Sequence, residues 1–218
     1  MKGAYSLRFS RSAPTYEEWA IPQKESAKKL IELVKPRGYV LDLGCGTGLV
    51  SSLLPDGCVP FGLDIAPGML RVYKSRFNRA VLGDAENLPF PDRSFDYVLS
   101  NFSLHWTSLD ISIKESIRVA RHGVGIAIPV EGSLEGLDFP FPKEEFVISL
   151  LGEYELVVHK ERINIPFKGL QLIKFFHYTG SSLNPNRKRV LSKREISNLI
   201  NSIEVASFHM LFLYVKVS

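Results

Sequence analysis

Apolar residues at Ala27, Leu30, Ile31 and Val34 recur at helical spacing, and Lys24, Glu25, Lys28, Lys29 and Glu32 fill the other face. The pattern predicts an amphipathic helix over 23–34. Pro36, Arg37 and Gly38 break it, and Tyr39-Val40-Leu41-Asp42-Leu43 then reads as a short buried strand running into glycines. From there the pattern alternates, with helices expected near 50–54 and over 67–76 and 111–120, and strands at 59–63, 80–82, 95–100 and 125–128. Alternating strand and helix imply a parallel sheet with right-handed crossovers. Beyond it, 155–166 and 208–217 are long and strand-like, while helical patterns fall at 143–151, 170–177 and 193–203. The expected fold is α/β: a doubly wound, mostly parallel sheet of seven strands carrying an antiparallel C-terminal edge strand. Segment 178–189 is rich in Gly, Ser, Asn, Pro and basic residues, a composition suited to a loop or lid.

At 218 residues, 45% hydrophobic and 23% charged, the chain is long enough to bury a full core and short for two ordinary domains, so one domain over 1–218 is expected. The N-terminal stretch is polar, and no apolar run approaches the roughly 18 residues of a membrane span, which favours a soluble, cytoplasmic protein without a membrane partner. The two cysteines, Cys45 and Cys58, are expected to be reduced, and the five histidines show no metal-ligand spacing, so no metal site is expected. A net charge of +4 falls short of the concentrated basic stripe of a nucleic-acid binder, and no nucleic-acid partner is expected.

The chemistry concentrates after the first strand, in Asp42-Leu43-Gly44-Cys45-Gly46-Thr47-Gly48. Gly44, Gly46 and Gly48 sit where a doubly wound sheet binds ligands, at the carboxyl ends of its strands. The third glycine comes one residue too early for a dinucleotide-binding loop, and the acidic Asp42 favours a cationic ligand over a pyrophosphate. Asp64, at the end of the second strand, is placed to accept hydrogen bonds from two ribose hydroxyls, with helix capping as the competing role. Asp84, after the third strand, is placed to take an adenine amino group beside the Ala85 amide, with a turn-forming role as its alternative.

Four segments in order, Val40 to Gly48, Gly62-Leu63-Asp64, Gly83-Asp84-Ala85 and Phe95 to Asn101, resemble the successive motifs of class I methyltransferases, which have a Rossmann-like fold. The resemblance implies S-adenosylmethionine as cofactor, held by Asp42, Gly44, Cys45, Gly46, Gly48, Asp64, Ile65, Met69, Asp84, Ala85 and Asn101. Ser100-Asn101-Phe102-Ser103-Leu104-His105-Trp106 further resembles the Ser-Asn-x-x-x-Gln-Trp signature of the malonyl-acyl carrier protein methyltransferases of biotin synthesis, with His105 where glutamine is usual. Arg8 to Ala20 looks like that family's N-terminal segment, whose tyrosine corresponds to Tyr16. The resemblance implies O-methylation of a malonyl carboxylate by in-line transfer, with Tyr16, His105 and Trp106 at the reacting groups. It also implies a helical segment 1–36 over the cofactor cleft, a substrate or lid region over 167–203 bearing Lys174 and His177, and an acyl carrier protein as partner; a monomer is the working expectation. The alternative is another small acceptor, such as a quinone precursor, or cofactor binding without turnover. Arg187, Lys188, Arg189, Lys193 and Arg194 form the densest basic cluster, suited either to steering an acidic carrier protein or to an ordinary solvated face.

Overall fold

The structure, a computed structural model, describes residues 2–137, 139–181, 195, 203 and 205–217. The basic cluster at 187–194, most of the helix expected over 193–203 and most of the loop 178–189 lie outside the described residues.

Seven strands form one sheet in the order β3-β2-β1-β4-β5-β7-β6. They are β1 (Gly38–Leu43), β2 (Cys58–Asp64), β3 (Ala80–Leu82), β4 (Phe95–Asn101), β5 (Ala120–Pro129), β6 (Glu155–Asn164) and β7 (Ser207–Lys216). The first five run parallel, and β7 pairs antiparallel with β5 on one side and with β6 on the other. The sheet therefore ends in the expected antiparallel pair, with the C-terminal strand inserted next to β5 and β6 outermost. The chain moves outward from β1 to β3 and then returns to place β4 on the other side of β1. The reversal leaves a crevice above the carboxyl ends of β1 and β4.

Alternation along the strands explains the layers, because successive side chains point to opposite faces. Leu41, Leu43, Val98, Val124, Ile126, Leu211 and Leu213 pack on one face with Leu109 and Ile113 of helix α5 (Leu109–Val119) and Val147 of α6 (Glu144–Ser149). Val40, Tyr97, Leu99, Ala127, Met210 and Phe212 take the other face, under Leu30 and Val34 of α3 (Ile21–Val34) and Phe175 of α7 (Leu170–Tyr178). Helix α4 (Pro67–Lys74) packs on β2 and β3, and α1 (Lys2–Ser12) and α2 (Tyr16–Trp19) precede the sheet.

Where a helix is expected near 50–54, the chain makes only a 3₁₀ turn, Ser51–Leu53. Asp42 captures both the backbone amide and the hydroxyl of Ser51, and Pro55 follows at once, so no α-helical turn propagates. Strand β5 is longer than its apolar core suggests, since helix α5 ends at Val119 and pairing with β4 begins at Ala120. Among the described residues no helix is long and apolar enough to cross a membrane.

Candidate active site

The crevice at the strand ends holds a cavity of about 790 Å³, counting its open mouth. Its floor is Gly44 and Gly46 of the glycine turn, one wall is Asp64, Ile65 and Met69, and another is Gly83, Asp84 and Ala85. Asn101, Phe102, Ser103 and Trp106 close the β4 side, and Tyr5, Phe9 and Tyr16 lie over the top.

Gly44 adopts φ 69°, and a Cβ there would lie 1.8 Å from the Ser103 hydroxyl, so this position admits no side chain. The turn consumes its own amides. Gly44 and Cys45 both donate to the Leu63 carbonyl, at 2.8 and 3.0 Å, Gly46 donates to Asp64 Oδ2 at 2.8 Å, and Gly48 donates to the Cys45 carbonyl at 2.8 Å. These amides are unavailable to an anion, in contrast to a phosphate-cradling loop. No lysine or arginine lines the cavity among the described residues, whereas two carboxylates do.

Asp64 receives the Gly46 amide on Oδ2 and the Ala66 amide on Oδ1, which bridges the glycine turn to the start of α4. Ala66, not Asp64, is the N-cap of that helix. Burial raises the Asp64 carboxyl above the ordinary carboxylate range, and the amides of Ala66, Gly46 and Ile65 oppose that shift. The carboxylate keeps acceptor capacity for a ligand hydroxyl. Asp84 Oδ1 accepts the Glu86 amide at 3.0 Å in an Asx-type turn, so it shapes its own loop while facing the cavity. That loop is tied down from below: Arg118 donates to the Phe90 and Leu88 carbonyls and to Glu115, whose Oε2 accepts the Leu88 amide.

Several residues expected at the cofactor stand behind the cavity lining or are engaged within the protein. Asp42, Cys45 and Gly48 do not line the cavity. Asp42 points into the helical layer because Leu41 and Leu43 take the opposite face. It is 1% exposed, with Oδ2 receiving Ser51 N and Oγ at 3.1 and 2.7 Å, and burial pushes its carboxyl up to about 7. Cys45 is packed with Leu70 and Tyr73, and a Cβ on Gly48 would meet Phe77 at 2.8 Å. Asn101 does reach the cavity, but its amide clamps helix α3: Nδ2 donates to the Gln23 carbonyl and Oδ1 accepts from Ser26 Oγ.

Of the residues expected at the reacting groups, Tyr16 and Trp106 line the cavity and His105 does not. His105 faces a second cavity beyond them, with Tyr16 and Trp106 shared between the two. Burial pushes its imidazole down to about 3, so the ring is neutral. The Tyr16 hydroxyl is pushed up by burial and by the nearby Asp64 carboxylate, and so stays a donor. Lys174 and His177 are exposed on α7 and line neither cavity.

The sequence pattern did not single out Tyr5 and Phe9, which pack on Trp106 with ring centroids 4.7 and 5.7 Å away. Their i, i+4 spacing was the available signal. Helix α1 is pinned there by Ser6 Oγ, which donates to the Ile65 carbonyl, and by Ser10 Oγ, which accepts the Gly68 amide. Phe102, also not singled out, sits at φ 52°, uncommon for a bulky residue, in a turn secured by its amide on the Ala127 carbonyl.

A doubly wound sheet with a glycine turn after β1 and acids after β2 and β3 defines the class I methyltransferase fold. Residues 41–128 match the family model described as a methyltransferase domain. The chain is also similar to malonyl-[acyl-carrier protein] O-methyltransferases, 38% identical to that of Herminiimonas arsenicoxydans over 64% of this chain and 56% of that protein. The Yersinia pestis protein of the same name is 38% identical over 62% of this chain and 54% of its own length. The chain thus spans about half the length of the curated relatives it matches. Among solved structures, a SAM-dependent methyltransferase of Thermotoga maritima, described as a possible histamine N-methyltransferase, superposes with a TM-score of 0.65 at 18% identity, covering 97% of this chain and 99% of that one.

Proposed function

We propose that the chain binds S-adenosylmethionine in the first cavity and methylates the free carboxylate of a malonyl group carried by an acyl carrier protein. The observation that carries the cofactor reading is the electrostatics of that cavity: two acids, no cationic side chain among the described residues, and a glycine turn whose Gly44, Cys45, Gly46 and Gly48 amides are spent internally. Such a site suits a ligand with an ammonium and a sulfonium and disfavours a pyrophosphate. Asp64 would accept the ribose hydroxyls, Asp84 and Ala85 would meet the adenine, Ile65 and Met69 would pack against it, and Gly44 and Gly46 would leave room for the aminoacyl end. When bound, the cofactor supplies an electrophilic methyl group.

The rest is the chain's own work. A malonyl carboxylate is ionised at neutral pH and needs no general base. Positioning and exclusion of water then carry the rate, and the rings of Tyr5, Phe9, Tyr16 and Trp106 are arranged over the cavity for both. The Tyr16 hydroxyl, held protonated, donates to the acceptor carboxylate. The carrier-protein substrate is supported by the similarity to the malonyl-carrier-protein enzymes and by the basic cluster at 187–194 in the sequence, whose charge would attract an acidic protein.

The test is transfer of labelled methyl from S-adenosylmethionine to malonyl carrier protein, with acetyl carrier protein as the control that lacks the carboxylate. Label on the malonyl form alone is expected. Label on neither, with tight binding of S-adenosylhomocysteine, would keep the cofactor and move the acceptor to another small molecule.

A further inference from the structure

Beyond Tyr16 and Trp106 the second cavity is walled by the rings of Phe102, Phe139, Phe141, Phe176 and Phe208. Two polar side chains face it without a partner. Gln23 is 5% exposed, and its Oε1 makes no hydrogen bond. His105 Nδ1 is equally buried and equally unpaired. The Gln23 backbone is held in helix α3, where its carbonyl accepts the Asn101 side-chain amide at 2.9 Å. The His105 ring is held by aromatic contacts, 4.8 Å from Trp106 and 5.8 Å from Phe141 between centroids. Buried polar groups are nearly always satisfied, so two left open on one cavity point to a ligand that completes them.

The ligand's charge follows from the walls. No lysine or arginine lines this cavity among the described residues, and an ionised group placed among aromatic rings would stay uncompensated. Gln23 and His105 offer only neutral donors and acceptors. An uncharged group that brings a donor for Gln23 Oε1 and an acceptor for His105, such as a thioester carbonyl followed by an amide N–H, fits.

We infer that the second cavity holds the uncharged thioester end of the acceptor, its carbonyl accepting from the His105 ring and the amide N–H beyond its sulfur donating to Gln23 Oε1, while the ionised carboxylate stays on the cofactor side of Tyr16. This rests on the proposed carboxyl-methyltransferase reading and adds the orientation of the acceptor and the residues that select it. It makes the protein discriminate by charge at the far end of the acceptor: a malonyl thioester, singly charged, is admitted, and free malonate, charged at both ends, is refused.

Malonyl-N-acetylcysteamine and malonate are the probes, with Gln23→Leu and His105→Phe as variants that remove the polar atoms and keep the bulk. The wild-type protein should methylate the thioester and leave malonate at background. Each variant should raise KM for the thioester about tenfold, the loss of one buried hydrogen bond. Affinity for S-adenosylhomocysteine should not change, because neither residue lines the first cavity, and an unchanged value also reports correct folding. Equal use of malonate and thioester, or an unchanged KM in both variants, overturns the inference.

If the wild type transfers no methyl to the thioester, the activity reading fails first, and binding tests the cavity by itself. In a Trp19→Phe background with S-adenosylhomocysteine present, Trp106 alone reports. Saturable quenching by malonyl-N-acetylcysteamine that weakens about tenfold in Gln23→Leu upholds the inference. Absent quenching, or quenching indifferent to both substitutions, overturns it.

Discussion

Replacing Asp42 by asparagine should change how stability depends on pH. The carboxyl is 1% exposed, and burial lifts its folded value from 3.8 to about 7, against the two Ser51 hydrogen bonds that lower it. In the unfolded chain the group loses its proton near the ordinary value, so between about pH 4 and pH 7 the folded protein holds the proton and the unfolded one does not. Stability therefore falls as pH rises through that window, and levels off above it. A tenfold difference in proton affinity between the two states corresponds to about 1.4 kcal/mol, so the full window is worth about 4 kcal/mol. Asparagine keeps the shape and an oxygen for the Ser51 amide and hydroxyl but never ionises. At about pH 4 the variant should be the less stable, by about 1–3 kcal/mol, because its amide brings donors with no acceptor in reach. From there to about pH 8 the difference should move by about 3–4 kcal/mol in the variant's favour. Urea unfolding at a series of pH values, extrapolated to water, measures it, and other carboxyls that titrate in both proteins cancel. Parallel stability curves for the two proteins would refute an Asp42 that is neutral when folded.

Asp64→Ala should weaken S-adenosylhomocysteine binding by about 1–3 kcal/mol, the usual loss for a hydrogen bond to a charged group, and calorimetry would expose an unchanged affinity. Tyr16→Phe keeps the ring and removes the donor, so turnover on malonyl carrier protein should drop about ten- to a hundredfold with cofactor affinity retained; normal turnover would reduce Tyr16 to packing. In Gly68→Ala the new Cβ would lie 2.4 Å from the Ser10 carbonyl oxygen and 2.6 Å from its Cα, so α1 must shift. Because α1 carries Tyr5 and Phe9 over the cavity, the expected result is an affinity loss of about tenfold for S-adenosylhomocysteine with little change in global unfolding, and an intact affinity would show that α1 does not cover the bound cofactor.

The order of strands and helices, the glycine turn after β1 and the acids after β2 and β3 were legible in the sequence, because each rests on local signals: apolar periodicity, the breakers Pro36 and Gly38, and residue types next to strand ends. Asp64 and Asp84 face the crevice because a residue at a strand's carboxyl end has little choice of surroundings. Asp42 lies behind the cavity's lining although only two residues from the turn, since a strand's alternation sends it into the helical layer while the chain runs on to the cavity. That the glycine turn offers few amides to a ligand depended on Leu63 and Asp64 of a neighbouring strand receiving them. The second cavity was invisible beforehand for a stronger reason. Its wall gathers Gln23, Phe102, His105, Phe139, Phe176 and Phe208 from segments far apart along the chain. No periodicity connects such positions; close packing of α3 and α7 against β4 and β7 is what brings them together and leaves two polar atoms unpaired among rings.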